Sequence, residues 1–115
     1  MREIKHIVVH CTATAQNAKI QAILDYWKFQ LNWKRPGYHY IIEANGNIES
    51  LHPIELPSNG VAGFNANIIN VCYIGGVDAK NNPIDNRTPQ QKQALINILK
   101  SLKSRGKIIA KTIIE

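Results

Sequence analysis

Along the chain the apolar positions fall into successive blocks with different periods. From Ile4 to Cys11 the sequence is β-branched and almost continuously apolar, which predicts a central strand covered on both faces. From Ala18 to about Leu31 the period changes. Ile20, Ile23, Leu24, Trp27 and Leu31 recur at helical spacing, with Asn17 as the expected N-cap. "KRPG" interrupts that pattern, and "YHYIIEANGNIESL" reads as a hairpin: Tyr38 to Glu43, a turn at Asn45-Gly46, then Asn47 to Leu51. Pro53 to Asn67 has no sustained period and is expected to be a long surface loop, a candidate wall of a cleft. "NVCYIGGV", Asn70 to Val77, returns to a buried strand stopped by Gly75-Gly76.

Thr88 opens the best-marked helix. Thr88-Pro89-Gln90-Gln91 offers an N-cap, a proline at the first helical position and a capping-box glutamine. Ala94, Leu95, Ile98, Leu99 and Leu102 form its apolar stripe, Gly106 fits the position after its end, and "KIIAKTIIE" reads as a final strand. The order β-α-β-β-loop-β-α-β predicts an α/β fold, a three-layer domain with a mixed central sheet flanked by helices. At 115 residues the chain is long enough for one such domain.

Composition narrows the functional classes. Hydrophobic residues make up 44% and charged residues 19%, which is globular and not disordered. No apolar run approaches the roughly 20 residues of a membrane span, and the N-terminal apolar stretch is too short for a signal peptide, so cytoplasmic synthesis is expected. A net charge of +6 favours anionic partners, and much of it lies in the C-terminal part, at residues such as Arg87, Lys92, Lys100 and Lys103. Nucleic acid is not the expected partner: Trp27, Trp33 and Tyr38 could stack on bases, but no recognised binding motif accompanies them. Cys11 and Cys72 sit inside apolar runs and read as core thiols, not as a disulfide framework.

His10 ends a buried strand next to a loop, where a rigid backbone can hold an imidazole at the rim of a sheet. A catalytic zinc needs about three protein ligands and an open position for water. His10 could be one of them, or an ordinary half-buried histidine. Cys11 cannot share its metal, because successive strand residues point to opposite faces. By the same alternation Tyr38 and Tyr40 are expected on one face and His39 on the other. Tyr38 could donate a hydrogen bond to an oxyanion or simply pack. His6 and His10 are four apart in "HIVVH", but along a strand that separation is too long for joint ligation of one metal, and no HxH, GxSxG, GxxxxGK[ST] or GxGxxG motif occurs.

Taken together and in order, "HIVVHCTAT", "GYHYIIEANGNIE", "GVAGFNANIINVCYIGGVD" and "TPQQKQALINILKSL" resemble the N-acetylmuramoyl-L-alanine amidase family, which includes phage lysozyme-type amidases and peptidoglycan recognition proteins. The resemblance implies a zinc-dependent hydrolase that cuts the amide between the lactyl group of muramic acid and L-alanine in peptidoglycan. It implies His10 as the first zinc ligand, Tyr38 as the catalytic tyrosine beside the scissile carbonyl, and Phe64 and Asn65 as substrate-binding residues. It also implies departures. Lys111 stands where the family's second zinc histidine is expected, and the further ligand would lie beyond Glu115. The expectation is therefore a C-terminally truncated amidase domain that still recognises peptidoglycan fragments but is impaired in turnover, or a non-catalytic peptidoglycan- or protein-binding module. Surface left bare by the missing segment could be buried in a homodimer.

Overall fold

A computed structural model describes residues 4–59, 65–103 and 111–114. The strands are β1 (His6–Cys11), β2 (Tyr40–Ile42), β3 (Ile48–Ser50), β4 (Ile68–Tyr73) and β5 (Lys111–Ile114), and the α-helices are α1 (Ile20–Asp25) and α2 (Pro89–Lys103). They form a five-stranded sheet in the order β3-β2-β4-β1-β5. β2 and β3 pair antiparallel, whereas the β2–β4, β4–β1 and β1–β5 pairs are parallel. The sheet is mixed, as expected from the sequence.

The connections explain the layers. The chain leaves β1, carries α1 and returns past β4 to β2, whereas from β4 it carries α2 and returns past β1 to β5. The two crossovers run in opposite directions, and right-handed crossovers of opposite direction place their helices on opposite faces. Alternation along the strands supplies both cores. Ile7 and Val9 of β1, Ile69, Val71 and Tyr73 of β4, and Ile42 of β2 meet Ala94, Leu95, Ile98 and Leu102 of α2. On the other face Ile41, Cys72 and Ile74 meet Ala18, Ile20 and Ile23 around α1. Burying each such aliphatic side chain contributes on the order of 1.5–3 kcal/mol, before the entropy of ordering it is set against that gain.

The start of α2 forms the full reciprocal cap that its sequence predicts. The Gln91 N–H donates to Thr88 Oγ1 at 3.0 Å, and the Thr88 N–H donates to Gln91 Oε1 at 3.0 Å. Gln91 does more than cap: its buried Nε2 donates to the carbonyls of Ile74 at 2.9 Å and Ile42 at 3.3 Å, pinning the helix to two strands. Thr88 Oγ1 in turn donates to the Ala44 carbonyl at 2.6 Å, and Gly46 takes the positive φ (89°) that the Asn-Gly turn requires.

Four expectations need correction. Asn17 is not the cap of α1. Lys19 occupies that position in an extended conformation, and a lysine side chain has no acceptor to offer, so the cap makes no side-chain bond. The helix also changes hydrogen bonding at Tyr26, where a π-helical turn, Tyr26–Gln30, takes over. The segment after Pro53 is not simply a surface loop, because Ile54 and Ser58 are buried within the fold. Finally, Tyr38 and Tyr40 do not share a face: β2 begins only at Tyr40, and the chain before it wraps against α1, where Tyr38 joins the second core. Gly106 lies outside the described residues. Among the described residues no helix is long and apolar enough to cross a membrane.

Candidate functional site

The opposed crossovers leave a crevice beyond the C-terminal ends of β1 and β4, the place where open α/β sheets bind ligands. The loop after β1 is fastened to the loop after β4: the Thr14 N–H donates to the Gly75 carbonyl at 3.0 Å, and the Gly75 N–H donates to Thr12 Oγ1 at 3.1 Å. Gly76 makes that close approach possible. It has φ +102°, and a Cβ there would fall 2.5 Å from Cys11 Sγ.

His10 lies at this end of β1, 7% exposed, with Tyr38 beside it at 5.1 Å between ring centroids. Tyr38 meets Trp27 edge-on at 5.2 Å, and Trp27 stacks on Trp33 at 6.1 Å. These rings wall a cleft of about 510 Å³ whose floor and rim include Thr12, Thr14, Ala18 and Ile23. Past Trp27 and Trp33 the surface continues into a second groove edged by the cations Lys28, Lys34 and Arg35. The π-helical turn presents Trp27 inward to this wall while Tyr26 and Phe29 stay exposed.

Behind His10 is a buried polar cluster. His10 Nε2 lies 2.8 Å from Asn70 Oδ1, and Asn70 Nδ2 donates to Ser58 Oγ at 2.8 Å. Ser58 donates to the Gly37 carbonyl at 3.0 Å, and His39 accepts the Asn70 N–H on Nδ1 at 3.0 Å. Asn70, Ser58 and His39 are each 0% exposed. Below the cleft, burial pushes the Cys72 thiol well above its ordinary pKa, with a hydrogen bond to Tyr38 acting in the opposite sense. Cys72 is accordingly a neutral core thiol. Cys11 packs on the α2 side, away from His10, as strand alternation requires.

The sequence profile of the N-acetylmuramoyl-L-alanine amidase family matches residues 1–115. The chain belongs to the N-acetylmuramoyl-L-alanine amidase family. This amidase domain is 36% identical over 103 residues to the endolysin of Enterobacteria phage K11, a match covering 89% of the chain and 68% of that endolysin. Its fold superposes on bumblebee PGRP-SA with a TM-score of 0.83 at 18% identity, covering 99% of this chain and 71% of that one. It also superposes on one chain of a structure of tracheal cytotoxin bound to the ectodomain complex of peptidoglycan recognition proteins LCa and LCx. There the TM-score is 0.78 at 15% identity, with 97% of this chain and 71% of that one covered.

Of the residues that the sequence singles out in this amidase domain, the fold brings His10 and Tyr38 together. Asn65 opens the 3-10 turn Asn65–Asn67 that leads into β4, and Phe64 lies outside the described residues. For the zinc that family membership suggests, the donor set can be tested on the described residues alone. Among the described residues no three His, Cys, Asp or Glu side chains come together as a metal site, and His10 Nε2 is already engaged by Asn70. The described residues by themselves do not make up a catalytic zinc centre of about three protein ligands. The sequence reading missed Asn70, Ser58 and the role of His39. The available signal was Asn70 itself, a polar side chain within the apolar run "IINVCYI".

Proposed function

We propose that this chain is a peptidoglycan-directed domain of the N-acetylmuramoyl-L-alanine amidase type, with its substrate cleft retained and its turnover impaired. The observation that carries this reading is the His10–Tyr38–Trp27 contact at the crevice beyond β1, in a chain of the amidase family. The stacked Trp27 and Trp33 rings offer a flat apolar face to a muramoyl sugar, and the cleft beside them suits an L-alanine methyl group. Thr12 and Thr14 supply hydroxyls along the rim for the amide groups of the peptide.

Tyr38 takes the catalytic position. Its hydroxyl donates to the oxygen of the scissile carbonyl, where negative charge grows as the carbonyl carbon is attacked. Hydrolysis at neutral pH also requires an activated water, and His10 alone is a meagre means of producing one. Binding is therefore expected to outlast catalysis in this chain. The peptidoglycan recognition protein complex with tracheal cytotoxin supports a peptidoglycan fragment as the ligand class.

Titrating a soluble muramoyl-peptide while following tryptophan fluorescence tests this, because Trp27 and Trp33 both wall the cleft. Saturable binding is expected. Trp33→Ala should weaken it about fivefold, from roughly 1 kcal/mol of lost ring contact. No response up to millimolar ligand would overturn the assignment.

A further inference from the structure

Exposed apolar side chains are ordinary when scattered, and Ile48, Leu56, Ile84 and Ile96 are scattered singly along the described residues. Tyr26, Phe29 and Leu31 are not. They crowd into one stretch, and Phe29, at 66% exposed, stands out furthest of them all. The π-helical turn is the cause. It closes with the Leu31 N–H donating to the Tyr26 carbonyl at 3.1 Å and commits Trp27 to the cleft wall, so Tyr26 and Lys28 on either side face outward.

The same stretch is cationic. From Tyr26 to Ile42 the sequence holds Lys28, Lys34 and Arg35 and no carboxylate. The nearest carboxylate upstream, that of Asp25, already accepts from Gln21 Nε2 at 2.8 Å. Lys28 Nζ lies 5.4 Å from the Phe29 ring centroid, which keeps a charge beside the most exposed ring. Asn59 holds Arg35 in place: Arg35 Nε donates to Asn59 Oδ1 at 2.8 Å, and Asn59 Nδ2 donates back to the Arg35 carbonyl at 3.2 Å.

Tyr26 and Leu31 line the cleft and Lys28 lines the second groove, so the turn is the ridge between the two, and Phe29 lines neither. A ridge enters its partner; it does not receive a ligand. The partner it fits carries negative charge at its surface and an apolar layer just beneath. Nucleic acid supplies phosphates without that layer, whereas a bilayer of anionic phospholipid supplies both. We propose that the turn Tyr26–Gln30, with Leu31, Lys34 and Arg35, docks the domain on an anionic lipid surface. Phe29 and Tyr26 enter at the headgroup level, and the cations meet the phosphates. This docking goes beyond the proposed function and does not rest on it.

The test is cosedimentation of the full chain with sucrose-loaded vesicles of phosphatidylglycerol and phosphatidylcholine in equal parts, beside vesicles of phosphatidylcholine alone, in about 0.1 M salt. Saturable retention on the anionic vesicles and none on the neutral ones is expected. Lys28→Gln with Lys34→Gln should weaken it about 25-fold, at about fivefold per cation. Phe29→Ser should weaken it about tenfold. Lys92→Gln with Lys100→Gln removes the same charge from exposed positions on α2, across the sheet, and should weaken it less than about threefold. All five positions are exposed, so each variant is expected to keep the wild-type urea midpoint. No retention of the wild type, equal retention on both kinds of vesicle, equal losses from the two lysine pairs, or full retention by Phe29→Ser would each overturn the proposal. A dimer of the free chain by light scattering that Phe29→Ser dissolves would also overturn it, by giving the ridge to a second copy.

Discussion

Replacing Gln91 by glutamate changes one atom and should cost a large part of the domain's stability. Gln91 is fully buried, and its Nε2 donates to the Ile74 carbonyl at 2.9 Å and the Ile42 carbonyl at 3.3 Å. Gln91→Glu keeps the oxygen that accepts the Thr88 N–H, so the cap of α2 survives. It replaces the donor with an oxygen facing two carbonyl oxygens. Ile42 O still receives the Ile74 N–H at 2.9 Å, so the carbonyl most harmed is that of Ile74. Two lost hydrogen bonds at about 1 kcal/mol each, plus about 1 kcal/mol for the deprived carbonyl, give a loss of about 3 kcal/mol. Against a typical total of about 5–15 kcal/mol, that is severe.

The new carboxyl also brings a pH dependence whose sign is fixed. Burial, with one oxygen facing two carbonyl oxygens, raises its folded-state pKa above the unfolded value of about 4.3 despite the Thr88 N–H, so the native state binds more protons and stability falls as pH rises. The deficit relative to wild type should be smallest near pH 4 and grow toward pH 7. Urea unfolding followed by tryptophan fluorescence measures it. With a slope of about 2 kcal/mol/M, the midpoint should drop by about 1.5 M at pH 7. A variant within about 0.5 kcal/mol of wild type at pH 7 would refute the claim that Nε2 ties the helix to the sheet.

Two further outcomes follow from local geometry. Gly76→Ala places a Cβ 2.5 Å from Cys11 Sγ on a residue with φ +102°, and should lower stability by at least about 2 kcal/mol in the same assay. The Asp85 carboxylate accepts from Arg87 Nε and Nη2 at 2.9 Å each, and these bonds hold its pKa down to about 2. Any stability from this exposed pair is present above the unfolded aspartate pKa and is lost as pH falls toward 2. NMR titration should show Arg87→Ala raising the carboxyl's pKa toward the ordinary aspartate value without reaching it, because the residue 87 N–H still donates to Asp85 Oδ1, with little change in the unfolding midpoint at pH 7.

The parts of this fold that could be read from the sequence are those written locally. Thr88-Pro89-Gln90-Gln91 specifies its helix start within four consecutive positions, and Asn45-Gly46 specifies a hairpin through a positive φ that few other residues accept. The continuously apolar β1 and β4 announce strands covered on both sides, and both are covered. What escaped depends on distant partners. Asn70 is visibly out of place in an apolar strand, but its role comes from His10, 60 positions away, and from Ser58 in a segment without periodicity. Tyr38 escaped for a different reason: alternation holds only inside a strand, and β2 begins two residues later. The π-helical turn that brings Trp27 to the cleft follows the same apolar spacing as an ordinary helix, so the pattern carried no sign of it.

On the proposed function, this amidase-type cleft recognises peptidoglycan better than it cleaves it. Cosedimentation with purified peptidoglycan, combined with detection of newly exposed L-alanine amino termini in the same samples, tests both halves. Saturable retention on peptidoglycan, weakened by Trp33→Ala, is expected, with release of amino termini far below that of a phage endolysin at equal concentration. Absence of retention, or release at the endolysin's rate, would contradict it.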